Sequence, residues 1–198
     1  MPMKLKEYEP NAALDNDPRL AGMRSIWFTP DNPHVTTDGT AGPTIATTGT
    51  TAQMQARTAA FSATVVQHQF IHVKIADIAS NGRIFLDSLL ETAATSGNCR
   101  WTGTARSYAT PTAGAAVDDA AGTALVVQTD AAPGTANRVR RSTFIIANTG
   151  DAAATPVNHP RDNMLSIRMT RDAAHVDDTI NANTVIVTGY QLRYETGV

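Results

Sequence analysis

From about Gln53 onward, short apolar runs rich in β-branched residues alternate with clusters of Gly, Pro, Asn and Asp, a rhythm of strands and turns. The runs are 61–78, 83–90 after an Asn81-Gly82 turn, 98–108, 123–129, 138–148, 164–170 and 184–195. Alternation is cleanest in 98–108. There Cys99, Trp101, Gly103 and Ala105 fall on one face and Arg100, Thr102, Thr104 and Arg106 on the other, which predicts a half-buried strand. Leu165, Ile167 and Met169 share a face in the next-to-last run, and Ile186, Tyr190, Leu192 and Tyr194 share one in the last. No stretch carries the period of an amphipathic helix, and no internal repeat is present. The pattern predicts an all-β fold, an antiparallel β-sandwich or jelly roll, with Trp101, Tyr190 and Tyr194 in its core.

Residues 1–52 read differently. Thr, Gly, Pro and Asp dominate 29–51, with little to bury, so this part is expected to be an extended N-terminal arm preceding a sandwich of residues 53–198. Inside the arm, Arg24, Ile26, Trp27 and Phe28 form a brief strand-like island. Trp27 is expected to lie outside the sandwich and to plug the arm into a neighbouring subunit, because aromatic anchors dominate protein interfaces.

Charged residues make up 17% of the 198-residue chain, below the roughly 25% of an average domain, and Thr, Ala, Gly, Asn and Ser fill the difference. Neutral, polar faces of that kind suit repeated contacts between subunits. A net charge of −2 lacks the basic footprint of a general nucleic-acid binder. The tightest basic cluster is Arg138, Arg140 and Arg141, where a strand puts the first two on one face and the third on the other. Cys99 is the single cysteine, so no disulfide within the chain and no thiolate zinc site is expected, in keeping with a reducing cytoplasm. No apolar run reaches membrane-spanning length, and the first ten residues lack a secretory apolar region, so no membrane partner is expected.

Candidate chemistry is sparse. His68 and His72 on a strand stand about 13 Å apart, too far to share one metal ion. The segment RDAAHVDDT gathers Arg171, Asp172, His175, Asp177 and Asp178. It lacks the glycine and the Asp-x-Asp-x-Asp order of a calcium loop, so an Arg171 pairing with Asp177 or Asp178 that pins the loop is the expectation. Asp118 and Asp119 are adjacent and would face opposite ways on a strand, which does not suit an acid and base pair. No nucleophile elbow, phosphate loop or H-E-x-x-H motif occurs. No catalytic residue, metal or cofactor is assigned. Asp118, Asp119, Asp172, His175, Asp177 and Asp178 stand as candidate loop contacts, since binding tends to live on loops.

Several local features recur together: Gly122-Thr123-Ala124 before a Val-rich run, Gly134-Thr135-Ala136 in a turn, and Arg171-Asp172-Ala173 closing a strand with Asp178-Thr179 after it. Gly189 and Tyr194 in the last strand complete the set. In these features the chain resembles a β-sandwich module of tailed-bacteriophage structural proteins, over roughly residues 55–196 and most strongly over 120–196. The resemblance implies a jelly-roll-like, non-enzymatic virion component, often a homotrimer, assembled in the bacterial host cytoplasm. Such modules decorate and cement capsids, with the major capsid protein or another virion protein as partner, or sit at tail and fibre tips to recognise a host glycan or protein. Short length and an extended arm favour capsid decoration, because a fibre would bring a longer shaft or a helical stem.

Overall fold

The computed structural model describes residues 23–30, 42–48, 56–75, 84–108, 122–135, 138–147, 164–180 and 185–195. These hold eleven strands and no helix: β1 (Met23–Phe28), β2 (Thr44–Thr48), β3 (Ala56–Phe61), β4 (Gln67–Lys74), β5 (Ile84–Thr92), β6 (Asn98–Tyr108), β7 (Thr123–Ala124), β8 (Gln128–Ala131), β9 (Arg138–Ala147), β10 (Met164–Arg171) and β11 (Val185–Glu195). The larger sheet runs β2-β3-β11-β5-β9 with β1 also on β11, and the smaller runs β4-β10-β6-β7 with β8 also on β6. All pairings are antiparallel. Thus β3-β11-β5-β9 faces β4-β10-β6-β8, and the chain crosses repeatedly between the two sheets, which is jelly-roll topology.

The core forms where the inward faces of the two sheets meet. Phe61 of β3 meets Trp101 of β6 edge to face, with ring centroids 5.0 Å apart, and both side chains are fully buried. Ile84, Leu86, Phe144, Ile146, Val187 and Leu192 fill the larger sheet's side, and Leu165, Ile167 and Met169 the smaller's. The buried hydroxyl of Tyr190 bridges the layers by donating to Gln69 Oε1 at 2.5 Å. Burial pushes its pKa well above the ordinary tyrosine range, so it stays a neutral donor.

Four expectations need correction. First, two segments assigned to the extended arm are strands of the larger sheet: Met23–Phe28 pairs residue for residue with Tyr190–Glu195, and Thr44–Thr48 with Ala56–Ala60. Trp27 therefore stands on the sandwich, not outside it. β1 takes the half of β11 that β3 leaves open, so the two lie end to end along one edge of β11. Second, the run 61–78 is not one strand. The chain turns over at Ser62–Val66, where the Ser62 N–H donates to Gln67 Oε1 at 2.5 Å and the Thr64 N–H to Ser62 Oγ at 3.2 Å. Third, 123–129 breaks into β7 and β8, because Leu125 dips under the sheet and its N–H bonds the Gly103 carbonyl at 2.9 Å. Gly122 is what allows that approach, since a Cβ there would sit 2.9 Å from the Ala105 carbonyl oxygen. Fourth, a bulge between Val187 and Gly189 shifts the pleat of β11. Val185, Val187, Tyr190, Leu192 and Tyr194 are buried, while Ile186 turns to the outer face.

Candidate functional site

The loop after β10 is built around one buried cation. The last residue of β10, Arg171, lies opposite Trp101 and is fully buried. Its Nε donates to Asp178 Oδ2 at 3.0 Å and its Nη2 to Asp178 Oδ1 at 2.9 Å, a bidentate pair with both side chains sealed from solvent. The remaining donors reach the carbonyls of Ser62 at 3.0 Å and Ile180 at 3.0 Å. One guanidinium thus ties the β3–β4 turn, the end of β10 and the segment before β11 into a single cluster.

The same loop grips the start of β6. Asp178 Oδ2 accepts the Arg100 N–H at 3.1 Å, and Thr179 Oγ1 accepts the Asn98 N–H at 2.7 Å. Backbone bonds run the other way, from the loop to β6: Asp172 N–H to Arg100 O at 3.1 Å, and Thr179 N–H to Asn98 O at 2.8 Å. Arg100 also forms an ion pair with Asp172. Gly97, with φ of +93°, lets the chain turn into β6 where a Cβ would stand 2.9 Å from Thr179 O. Arg171, Asp172, Asp178 and Thr179, which helped carry the resemblance, are therefore joined in one internal clamp.

Of the candidate loop contacts, Asp172 and Asp178 serve this clamp, and Asp178 rather than Asp177 is the partner of Arg171. His175 and Asp177 sit at the tip around Val176, which is 83% exposed. Turn bonds from His175 N–H to Asp172 O at 3.1 Å and Asp178 N–H to His175 O at 2.9 Å hold that tip, and the Asp177 N–H donates to His175 Nδ1 at 3.2 Å. Asp118 and Asp119 lie outside the described residues. His68 Nδ1 pairs with Thr170 Oγ1 at 2.7 Å, and His72 stacks on Phe70 at 6.3 Å. Among the described residues no group of three His, Cys, Asp or Glu side chains could hold a metal ion, and no helix is long and apolar enough to cross a membrane.

No protein-family model matches the chain, and no curated protein matches it in sequence. Among solved structures it is similar to a family 11 carbohydrate-binding module of the cellulosomal cellulase Lic26A-Cel5E of Clostridium thermocellum. Identity is 8%, coverage is 89% of this chain and 88% of that one, and the TM-score is 0.35. At that score the likeness carries no functional weight.

The residues of the strand-like island are set out along β1. Ile26 and Phe28 pack against the core, Arg24 is exposed, and Trp27 points outward at 57% exposure. One feature of this surface was not legible in the sequence: the buried carboxylate of Asp87 on the outer face of β5. It accepts from Arg193 Nε at 2.7 Å and Thr143 Oγ1 at 2.6 Å, with Arg141 Nη1 3.8 Å away. The Arg193 guanidinium in turn lies over Phe85, 5.3 Å from its centroid. An acidic residue at an outward strand position reads as solvent-facing, and only the register that brings Gln191 and Thr143 beside it reveals the cluster.

Proposed function

We propose that the chain is a non-enzymatic structural subunit of a bacteriophage particle, most consistent with a self-associating decoration protein that reinforces the head. One observation carries this reading: the polar groups of the loop after β10 are spent on internal bonds, while large apolar side chains are left outside. Arg171, Asp172, Asp178 and Thr179 hold the fold together. Trp27 and Val139, each 57% exposed, and Val176 are offered to solvent. A rigid sandwich with apolar outward positions suits contact with other proteins, whose interface centres are depleted in charge and enriched in aromatic and Arg side chains. The resemblance over 120–196 supports the particle as the setting. Many copies on a lattice would stabilise it by mass action, each bound subunit favouring the assembled state.

The tail or fibre receptor-binding alternative draws on the loop tip, where Val176 is held out between His175 and Asp177. Electron cryo-microscopy of intact particles separates the two. Density for this sandwich on the capsid lattice is the expected result. Density at the tail tip would replace decoration with recognition, and a particle without the chain would remove both.

A further inference from the structure

The two outer faces of the sandwich differ. The smaller sheet presents Thr102, Thr104, Arg106, Ser166 and Arg168, with Phe70 and Met164 as the large apolar side chains among them. On the larger sheet, cross-strand partners set Trp27, Phe85, Leu89, Val139 and Ile145 on the outer side, Trp27 and Val139 exposed and the other three partly so. Outer faces of antiparallel sandwiches normally alternate to polar residues, so this one reads as a surface with a partner.

Charge points to the partner's identity. Along the strands, the same face runs Glu195, Arg193, Asp87, Arg141, Glu91, alternating in sign and reading alike from either end. Asp87 is fully buried between Arg193 and Arg141, which leaves a cationic middle between two acidic ends. A strongly charged partner would meet one favourable and one unfavourable zone. A copy of the face, turned end for end and displaced by one step of the pleat, about 7 Å, sets its Glu91 on this Arg193 and its Arg193 on this Glu91. Four strands about 4.8 Å apart and nine residues long cover on the order of 600 Å² of flat area, of which that displacement keeps roughly three-quarters in contact. That is somewhat over half of the roughly 800 Å² per partner of a standard stable interface.

We propose that the outer face of the larger sheet, centred on Trp27 and the Asp87 cluster, docks against another copy of this chain. The inference sharpens the self-association in the functional reading above. Its test uses purified protein, so it can fail without moving the chain's place on a particle.

The chain has two tryptophans, Trp27 exposed and Trp101 fully buried, so acrylamide quenching of fluorescence follows Trp27 alone. Quenching and sedimentation velocity are measured together across a dilution series of the full chain. The expected result is a heavier species at high concentration in which quenching falls several-fold, and a lighter one on dilution in which it returns. Trp27→Ala and, separately, Val139→Lys should each raise the dissociation constant at least ~10-fold, with circular dichroism unchanged. A chain monomeric at every concentration would overturn the proposal. So would an oligomer in which Trp27 stays quenchable, or a dilute monomer in which it is already shielded.

Discussion

Replacing Asp178 with Asn tests the clamp most directly. The substitution keeps the side chain's shape and removes its charge, leaving the Arg171 guanidinium buried without a counter-ion. Both side chains of the pair are fully sealed from solvent. Breaking a buried pair by removing one partner costs roughly 3–5 kcal/mol. Arg171 keeps its bonds to the carbonyls of Ser62 and Ile180, each at 3.0 Å, so the lower end applies, about 3 kcal/mol. At this chain length that corresponds to a fall in Tm of about 6–12 °C. Urea unfolding followed by circular dichroism measures it, and the neighbouring Asp177→Asn supplies the control. Asp177 is exposed and outside the pair, and its substitution should cost under about 0.5 kcal/mol. An Asp178→Asn variant within about 1 kcal/mol of the parent would refute the reasoning. It would mean that the guanidinium reaches water or that its carbonyl partners suffice.

Gly122→Ala should destabilise by about 1–3 kcal/mol, because the new methyl would meet rigid backbone atoms of Ala105 at 2.9 to 3.3 Å; thermal unfolding reads it. Stability should also fall at alkaline pH. Burial raises the pKa of both Cys99 and Tyr190, so the folded state holds those protons to higher pH than the unfolded chain does. Their contribution is intact below the unfolded values of about 8.5 and 10 and is lost above them, so urea midpoints should hold from pH 6 to 8 and drop beyond about pH 9. Tyr190→Phe should make the drop shallower above about pH 10, and an unchanged profile would count against a buried, neutral Tyr190. In native buffer the Cys99 thiol should resist a thiol-reactive chromogen and react only on unfolding, since burial raises its pKa and closes access.

What the sequence revealed and what it hid divide along a physical line. Strand β6 was legible over its whole length because strict alternation of Cys99, Trp101, Gly103 and Ala105 with polar residues leaves one burial pattern open. The Arg171 pairing was legible because a lone cation among several close carboxylates has few other partners. The Ser62–Val66 turn was hidden because it contains neither Gly nor Pro; Ser62, Thr64 and Gln67 supply its bonds from side chains. The sheet position of β1, whose residues do read as strand-like, and the existence of β2 were hidden for a different reason. The two strands are six and five residues long, and β1 finds its partner at Tyr190–Glu195, almost the full chain away. Local composition there resembles a linker, and only tertiary pairing overrides it. The break at Leu125 belongs to the same class, since the Val126 and Val127 that looked like strand core are 46% and 42% exposed.

The clamp also bears on what the resemblance to virion modules means. Arg171, Asp172 and Asp178 are fixed by the need to close one end of a sandwich, and Gly122 by a backbone approach too near for any Cβ. Residues held by such demands recur wherever the architecture recurs, whatever the domain binds, because replacing them costs stability before it touches function. Those four positions therefore report architecture. Specificity has to be sought where the fold makes no demand: at Trp27, whose neighbours Ile26 and Phe28 anchor β1 without it, and at Val176, held in a turn that its own side chain does nothing to build. A large apolar side chain that the fold does not need, kept in water at a fixed position, is best explained by a surface that covers it.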